Sequence, residues 1–488
     1  MEDGMSAVPT LQPCVAGRWV PGAEQRPVHA PYDGRLLAQV GFCGPAELDS
    51  ALSGAARAEA AAASLTCQER ARICTHVAAA LGAQREEIAL GITDESGKPI
   101  AEARGEVDRA IHTFELAAAE AGRAAREGLL LPMDLRPGGQ GRLGLVRRVP
   151  VGTVVGITPF NFPLNLVAHK IAPALAAGCP ILLKPAEQTP LTALRLAALV
   201  LQAGWPPEAL SVVPADRTVA EQLVVDERPR MLSFTGSAPV GWALKSRAGR
   251  KRVLLELGGD AAVIIDESVT EADIERMLPK LVYGAYSYAG QKCISIQRIF
   301  VVDAQGTRHA QLLDRLAAAV SALRVGDPRD PEVMVGPMID EANARRIQDW
   351  IAEAVSLGAQ LLCGGQRQGT LVQPALLRNV PPGARLYREE AFGPVCFVER
   401  VADFSAALAA VNASRYGLQA ALFTRDLGHS LRAFDELAVG AVILNDTPSF
   451  RMDHMPYGGV KESGLGREGV RWAIQEMTET RLLVTGTL

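Results

Sequence analysis

Between residues 151 and 258, short apolar runs alternate with longer amphipathic ones. In order they are VGTVVGITP, LNLVAHKIAPALAAG, PILLKP, LTALRLAALVLQAG, ALSVVPA, RTVAEQLVVD, MLSFTG, SAPVGWALKSRAG and RVLLELGG. The short runs suit strands buried on both faces, and the longer ones carry helical periodicity. Strands joined through helices run parallel, with right-handed crossovers that cover the sheet on both sides. The pattern predicts a Rossmann-type parallel sheet, a fold that takes ligands beyond the carboxyl ends of its strands.

At 488 residues the chain is too long for one core. A second α/β series runs from AAVIID through RIFVV and ALFT to AVILN. Upstream, residues 46–126 are alanine-rich with helical spacing and read as three helices. The segment LPMDLRPGGQGRLGLVRRVPVG reads as an extended hairpin arm, and TRLLVTGTL as a strand that pairs with that arm or with a partner subunit.

A formal charge of -4, with no basic run, excludes a general nucleic-acid role. The opening MEDGMSAVPTLQP has no apolar core of a signal peptide, and no apolar segment reaches membrane-spanning length. A cytoplasmic protein without a membrane partner is expected. Eight cysteines spread from Cys14 to Cys396, with no C-x-x-C pair and no histidines at metal spacing, argue against a zinc site or a disulfide framework. Cys74 and Cys179 sit in apolar runs and read as core.

Cys293 is different. In YAGQKCISIQR it follows small and polar residues, beside Lys292, where a loop enters a strand. A thiolate needs local positive character, which Lys292 or a bound nicotinamide cation would supply. Four strand ends add candidates. Gly236-Ser237 opens a helix after MLSFTG, as phosphate-binding turns do, although the G-x-G-x-x-G fingerprint is missing. Lys184 and Glu187, in ILLKPAEQTP, would suit a ribose diol, and the carboxylate would repel a 2'-phosphate. Asn161, in TPFNFPLNL, is an oxyanion donor or a turn residue. Glu256, in LLELGGD, is a helix-capping group or a base facing a cleft.

Taken in order and spacing, PFNFPLNLVAHKIAPALAAGCPILLKPAEQTP, FTGS, LELGGD, GQKC, EEAFGPV and PYGGVKESGLGREG resemble the NAD(P)-dependent aldehyde dehydrogenase superfamily across nearly the whole chain. The resemblance implies a Rossmann-type cofactor domain (1–127, 151–258 and 441–473), an α/β catalytic domain (259–440) and a small β oligomerisation arm (128–150 and 474–488). It implies Cys293 as the nucleophile, forming a thiohemiacetal and then a thioester. The Cys293 amide and Asn161 would hold the oxyanion, and Glu256 would activate the hydrolytic water. Lys184 and Glu187 would take the adenosine ribose, Glu390 the nicotinamide ribose and Phe392 a place near the ring. Gly236 and Ser237 would flank the pyrophosphate, with Thr158, Pro159, Phe160 and Leu257 completing the cleft. NAD is favoured over NADP, no metal is implied, and a homodimer or homotetramer is expected.

Three cations stand where such a family builds its substrate funnel: Arg109, Lys292 and Arg451. Together they would suit an anionic aldehyde. The block FRMDHMPYGGVKESGLGREG is most similar to the phosphonoacetaldehyde dehydrogenase-like branch, which makes phosphonoacetaldehyde the expected substrate. Lys292 replaces that branch's usual arginine, so the planar fork is lost. Sulfoacetaldehyde, lactaldehyde and glyceraldehyde 3-phosphate are the alternatives. A coenzyme A-acylating enzyme is disfavoured by Glu256, and a non-catalytic structural protein by Cys293, Glu256 and Asn161 together.

Overall fold

The alternating segment folds as its period requires. In the computed structural model, which describes residues 8–124 and 127–486, five strands hydrogen-bond in parallel. Their spatial order is Arg252–Leu257, Met231–Gly236, Val154–Ile157, Ile181–Lys184 and Leu210–Val212. The chain winds outward from Val154–Ile157 in one direction, then returns to place Met231–Gly236 on its other side. That reversal opens a crevice at the carboxyl ends of the two strands. Register sets what faces it: Ile157 lies opposite Lys184, Thr235 opposite Glu256 and Gly236 opposite Leu257. Short antiparallel strands complete this eight-stranded sheet, Cys14–Val15 and Arg18–Trp19 at one edge and Gly464–Leu465 at the other.

A second sheet has seven strands, in the order Gln360–Cys363, Ala375–Arg378, Val395–Val401, Arg298–Val302, Ala262–Ile265, Gln419–Phe423 and Ala441–Leu444. The last of these corrects the expected boundary at 440/441. Ala441–Leu444 pairs in parallel with Gln419–Phe423, because an apolar run needs a sheet neighbour and the nearest is in the catalytic unit. Only at Gly464–Leu465 does the chain rejoin the first sheet.

The alanine-rich region forms four helices rather than three: Pro45–Ser64, Cys67–Ala83, Arg85–Ser96 and Ile100–Ala124. The extra break falls at Gln84, whose side-chain oxygen accepts two hydrogen bonds from Arg195 (2.7 and 3.0 Å). That long-range contact is invisible to periodicity. An N-terminal sheet of Thr10–Leu11, Leu36–Phe42 and Glu24–His29 was also absent from the sequence reading.

The arm is a three-stranded antiparallel sheet of Leu129–Pro132, Leu143–Pro150 and Thr478–Thr485. The closing strand therefore pairs with the hairpin of its own chain. The opening MEDGMSA, residues 125–126 at the end of the last helical run, and residues 487–488 lie outside the described residues. Among the described residues no helix is long and apolar enough to cross a membrane.

Candidate active site

The helix Glu271–Tyr286 ends in a strained turn that delivers the cysteine. Tyr288 and Ala289 both adopt left-handed backbone (φ 55° and 52°), and Gly290 follows at φ 66°. Each such non-glycine residue costs on the order of 1–3 kcal/mol and persists only where its surroundings hold it. Gly290 has no alternative, since a Cβ there would stand 2.2 Å from the Gly393 carbonyl oxygen. Gln291 is the clamp. Its side-chain amide donates to the Pro337 carbonyl (3.1 Å) and its oxygen accepts the Ile339 N–H (2.9 Å).

Cys293 Sγ then lies 2.9 Å from the Tyr457 hydroxyl. Burial pushes this thiol well above its ordinary range and the neighbouring Glu256 carboxyl adds to that, while Tyr457 and Arg451 act against both. Lys292 Nζ is hydrogen-bonded to Ser287 Oγ and sits 5.0 Å from the Tyr283 ring centre. Burial disfavours its charge, while Glu102 and a Cys293 thiolate favour it, and Arg451 is a further cation that favours the thiolate.

Glu256, at the end of the strand Arg252–Leu257, is buried, and its Oε1 has no hydrogen-bond partner among the described residues. Burial, then the charge of Glu468, pushes its carboxyl up to about 7, against the opposing pull of Arg451 and Lys170. Glu468 goes the other way. Burial would raise it, but Lys170 and Arg451 outweigh that and hold it at about 2. It accepts from Lys170 Nζ, from Thr235 Oγ1 (3.2 Å) and from Arg451 Nη2 (3.3 Å). Two carboxyls driven apart in this way separate a permanent anion from a group that titrates near neutrality.

Asn161 is buried, and its Nδ2 donates to the Gln291 carbonyl (2.9 Å), tying it to the nucleophile loop. Among the described residues the Cys293 amide donates to no protein acceptor.

The crevice at the strand reversal is a cleft of about 440 Å³, lined among others by Thr158, Pro159, Phe160, Lys184, Glu187, Gly236 and Ser237. Three observations fit a dinucleotide there. Thr158 Oγ1 is buried without a partner. Ser237 precedes the helix Ala238–Arg247, so the first N–H groups of that helix open on the cleft. Finally, Glu390 reaches across to accept the Gly259 N–H (3.0 Å), over a Gly258 where a Cβ would meet its carboxylate at 2.0 Å. Burial of the Glu390 carboxyl pushes it up to about 8. Glu187 lies 3.7 Å from both Lys184 Nζ and Arg26 Nη1. Phe392 packs edge-on against Phe160, with ring centres 5.9 Å apart. Leu257 is buried at the strand end beside Gly236.

A second cavity, of about 340 Å³, brings Arg109, Lys292 and Arg451 together with Cys293 and Tyr457. Two of its cations are already engaged. Arg109 forms a fork with Asp453 (2.7 and 3.3 Å), and Asp453 also accepts from His169 (2.8 Å) and Asn165 (3.2 Å). Arg451 pairs with Glu468 and stacks on the Tyr457 ring at 3.6 Å. Among the described residues Lys292 forms no salt bridge, although the charge of Glu102 favours its protonated form.

Tyr457, Glu468, Lys170 and Asp453 escaped the sequence reading. One signal was available: His169 and Lys170 interrupt an otherwise apolar helix, and a buried lysine requires an anionic partner. Tyr457 and Glu468 lay within a quoted motif, but only the fold shows that they meet Cys293 and Glu256. Among the described residues no metal-holding cluster occurs, and all eight cysteines are free.

A dinucleotide-type sheet that opens onto a half-buried cysteine and a buried glutamate has the layout of an oxidoreductase. The aldehyde dehydrogenase family model matches residues 19–483. The chain is 40% identical over 471 residues to the 3-sulfolactaldehyde dehydrogenase of Priestia aryabhattai, covering 96% of this chain and 97% of that one. It is 35% identical over 454 residues to the sulfoacetaldehyde dehydrogenase of Neptuniibacter caesariensis, covering 93% and 98%. Among solved structures, aldehyde dehydrogenase 21 of Physcomitrella patens in complex with its product succinate matches with a TM-score of 0.94 at 41% identity, covering 99% of this chain and 100% of that one. The protein belongs to the aldehyde dehydrogenase family and is an NAD(P)-dependent oxidoreductase of small aldehydes.

Proposed function

We propose that this enzyme oxidises a small aldehyde bearing one anionic charge, a sulfonate or a carboxylate, to the free acid. The observation that carries the reading is the shared cavity of Cys293 and three cations, of which only Lys292 lacks a carboxylate partner among the described residues. A lysine held in no salt bridge suits a monoanionic headgroup. Glu102 lines the same cavity and opposes a second negative charge. Phosphonoacetaldehyde, the expectation from the motifs, carries a dianionic headgroup at neutral pH and matches this charge pattern less well. The sulfonated substrates of the relatives and the succinate product of aldehyde dehydrogenase 21 point the same way.

In this reading Cys293 attacks the carbonyl carbon, and the Cys293 amide with Asn161 receives the developing oxyanion. A nicotinamide bound in the cleft supplies the hydride acceptor. NAD is the proposed form, since Glu187 at the ribose end opposes a 2'-phosphate. Glu256 takes a proton from the water that attacks the thioester, so the product is an acid rather than a coenzyme A ester. The bulky residues exposed on the arm, Leu130, Leu482 and Leu483 among them, suit burial against a second copy. A required free thiol fits a reducing, cytoplasmic setting.

The test is a kcat/KM comparison of 3-sulfolactaldehyde, sulfoacetaldehyde, succinate semialdehyde, lactaldehyde, phosphonoacetaldehyde, glyceraldehyde 3-phosphate and propanal. The monoanions are expected at the top. Lys292→Met should lower kcat/KM for them roughly 10- to 100-fold, the worth of about 1.5–3 kcal/mol for a hydrogen bond to a charged group. Propanal should be nearly unaffected. Equal losses on propanal and on the anions would dismiss the headgroup assignment.

A further inference from the structure

We propose that Tyr457 is a further catalytic residue, the hydrogen-bond donor that stabilises the Cys293 thiolate. This rests on the dehydrogenase reading above, and it concerns the resting enzyme before aldehyde binds. Tyr457 is fully buried, and its hydroxyl lies 2.9 Å from Cys293 Sγ. While sulfur carries its proton, either group can donate. Once that proton has passed to solvent, the sulfur is acceptor only and the phenol O–H is the donor facing it. One S–H bond breaks, one O–H bond forms on a water, and Tyr457 keeps its proton.

The surroundings make the phenol suited to this. The Arg451 guanidinium lies 3.6 Å from the ring centre, and a cation over the ring favours negative charge on the phenol oxygen, which strengthens the O–H as a donor. The backbone of Tyr457 is held by two hydrogen bonds to Glu468, N to O at 3.0 Å and O from N at 2.6 Å. The same Glu468 carboxylate accepts from Arg451. One residue thus fixes both the tyrosine and the cation behind it. The charged and titratable groups around the sulfur are Glu256 from the strand Arg252–Leu257, Glu390 from the segment after Arg385–Arg388, Lys292 beside it in the chain, and Arg451 and Tyr457 from the 445–469 loop. The two carboxyls disfavour the thiolate, the two cations favour it, and Tyr457 is the group that hydrogen-bonds to it.

The experiment needs neither aldehyde nor cofactor, so it stands apart from the substrate assignment. The rate of Cys293 alkylation by iodoacetamide is followed against pH in the full-length enzyme, with the modified peptide identified by mass spectrometry. Tyr457→Phe should move the profile up by about one pH unit, which is about tenfold slower reaction below the midpoint. Site-specific 3-fluorotyrosine at position 457, a more acidic phenol of nearly the same shape, should move it down. Opposite shifts from the two changes are not expected of a purely structural ring. A profile that stays put in both, or moves the same way in both, overturns the proposal. The fluorinated protein keeps the test decisive should Tyr457→Phe fold poorly.

Discussion

Glu256 carries most of the pH dependence expected of the enzyme. With its carboxyl raised to about 7, it is protonated at lower pH and cannot accept a proton from water. Deacylation should therefore slow as pH falls through about 7, and the acid limb of kcat should report this group. Glu256→Gln should give a burst of about one reduced cofactor per active site, followed by turnover slower by roughly 10²- to 10⁴-fold, the usual worth of general-base catalysis. A variant with no burst and unchanged turnover would assign the base elsewhere. Residue types and strand-end positions made Cys293, Glu256 and Asn161 readable as candidates. The titration of Glu256 was not readable, because it depends on burial and then on Glu468, Arg451 and Lys170, far away in sequence and adjacent only in the fold.

Between elements, the helix Ile100–Ala124 is joined to the start of the helix Asn165–Ala177 by Glu106, which also forms a buried ion pair. Glu106 accepts the N–H groups of Leu164 (2.9 Å) and Asn165 (3.0 Å) and pairs with Lys98, both side chains being fully buried. Lys98 in turn lies over the Phe162 ring at 3.6 Å, next to Asn161 in the chain. Glu106→Gln keeps an acceptor for the two amides but strands the Lys98 charge. It should lower the unfolding free energy by about 3–5 kcal/mol in urea denaturation. A loss below about 1 kcal/mol, the worth of an exposed pair, would show that the pair is not a strut. The parallel series was legible because its strands and helices differ in period, whereas nothing in the sequence marks Lys98 and Glu106 as buried or paired. The added break at Gln84 and the transfer of Ala441–Leu444 to the second sheet likewise depend on partners distant in the chain.

At the scale of the molecule, the two sheets each bring one half of the chemistry. The first ends in Glu256 and the cofactor cleft; the second unit contributes the strained turn that carries Cys293, with Glu390 beside it; the loop of residues 445–469 closes over both with Arg451, Tyr457 and Glu468. In the proposed reaction they converge on a covalent acyl group on one sulfur. The decisive measurement is intact-protein and peptide mass spectrometry of Glu256→Gln, quenched after mixing with NAD and the best monoanionic aldehyde. The account predicts a stoichiometric mass increase equal to the acyl group, mapped to the peptide holding Cys293 and absent in the Cys293→Ala/Glu256→Gln double variant. Cofactor reduction without any such adduct, or an adduct on another residue, would contradict it.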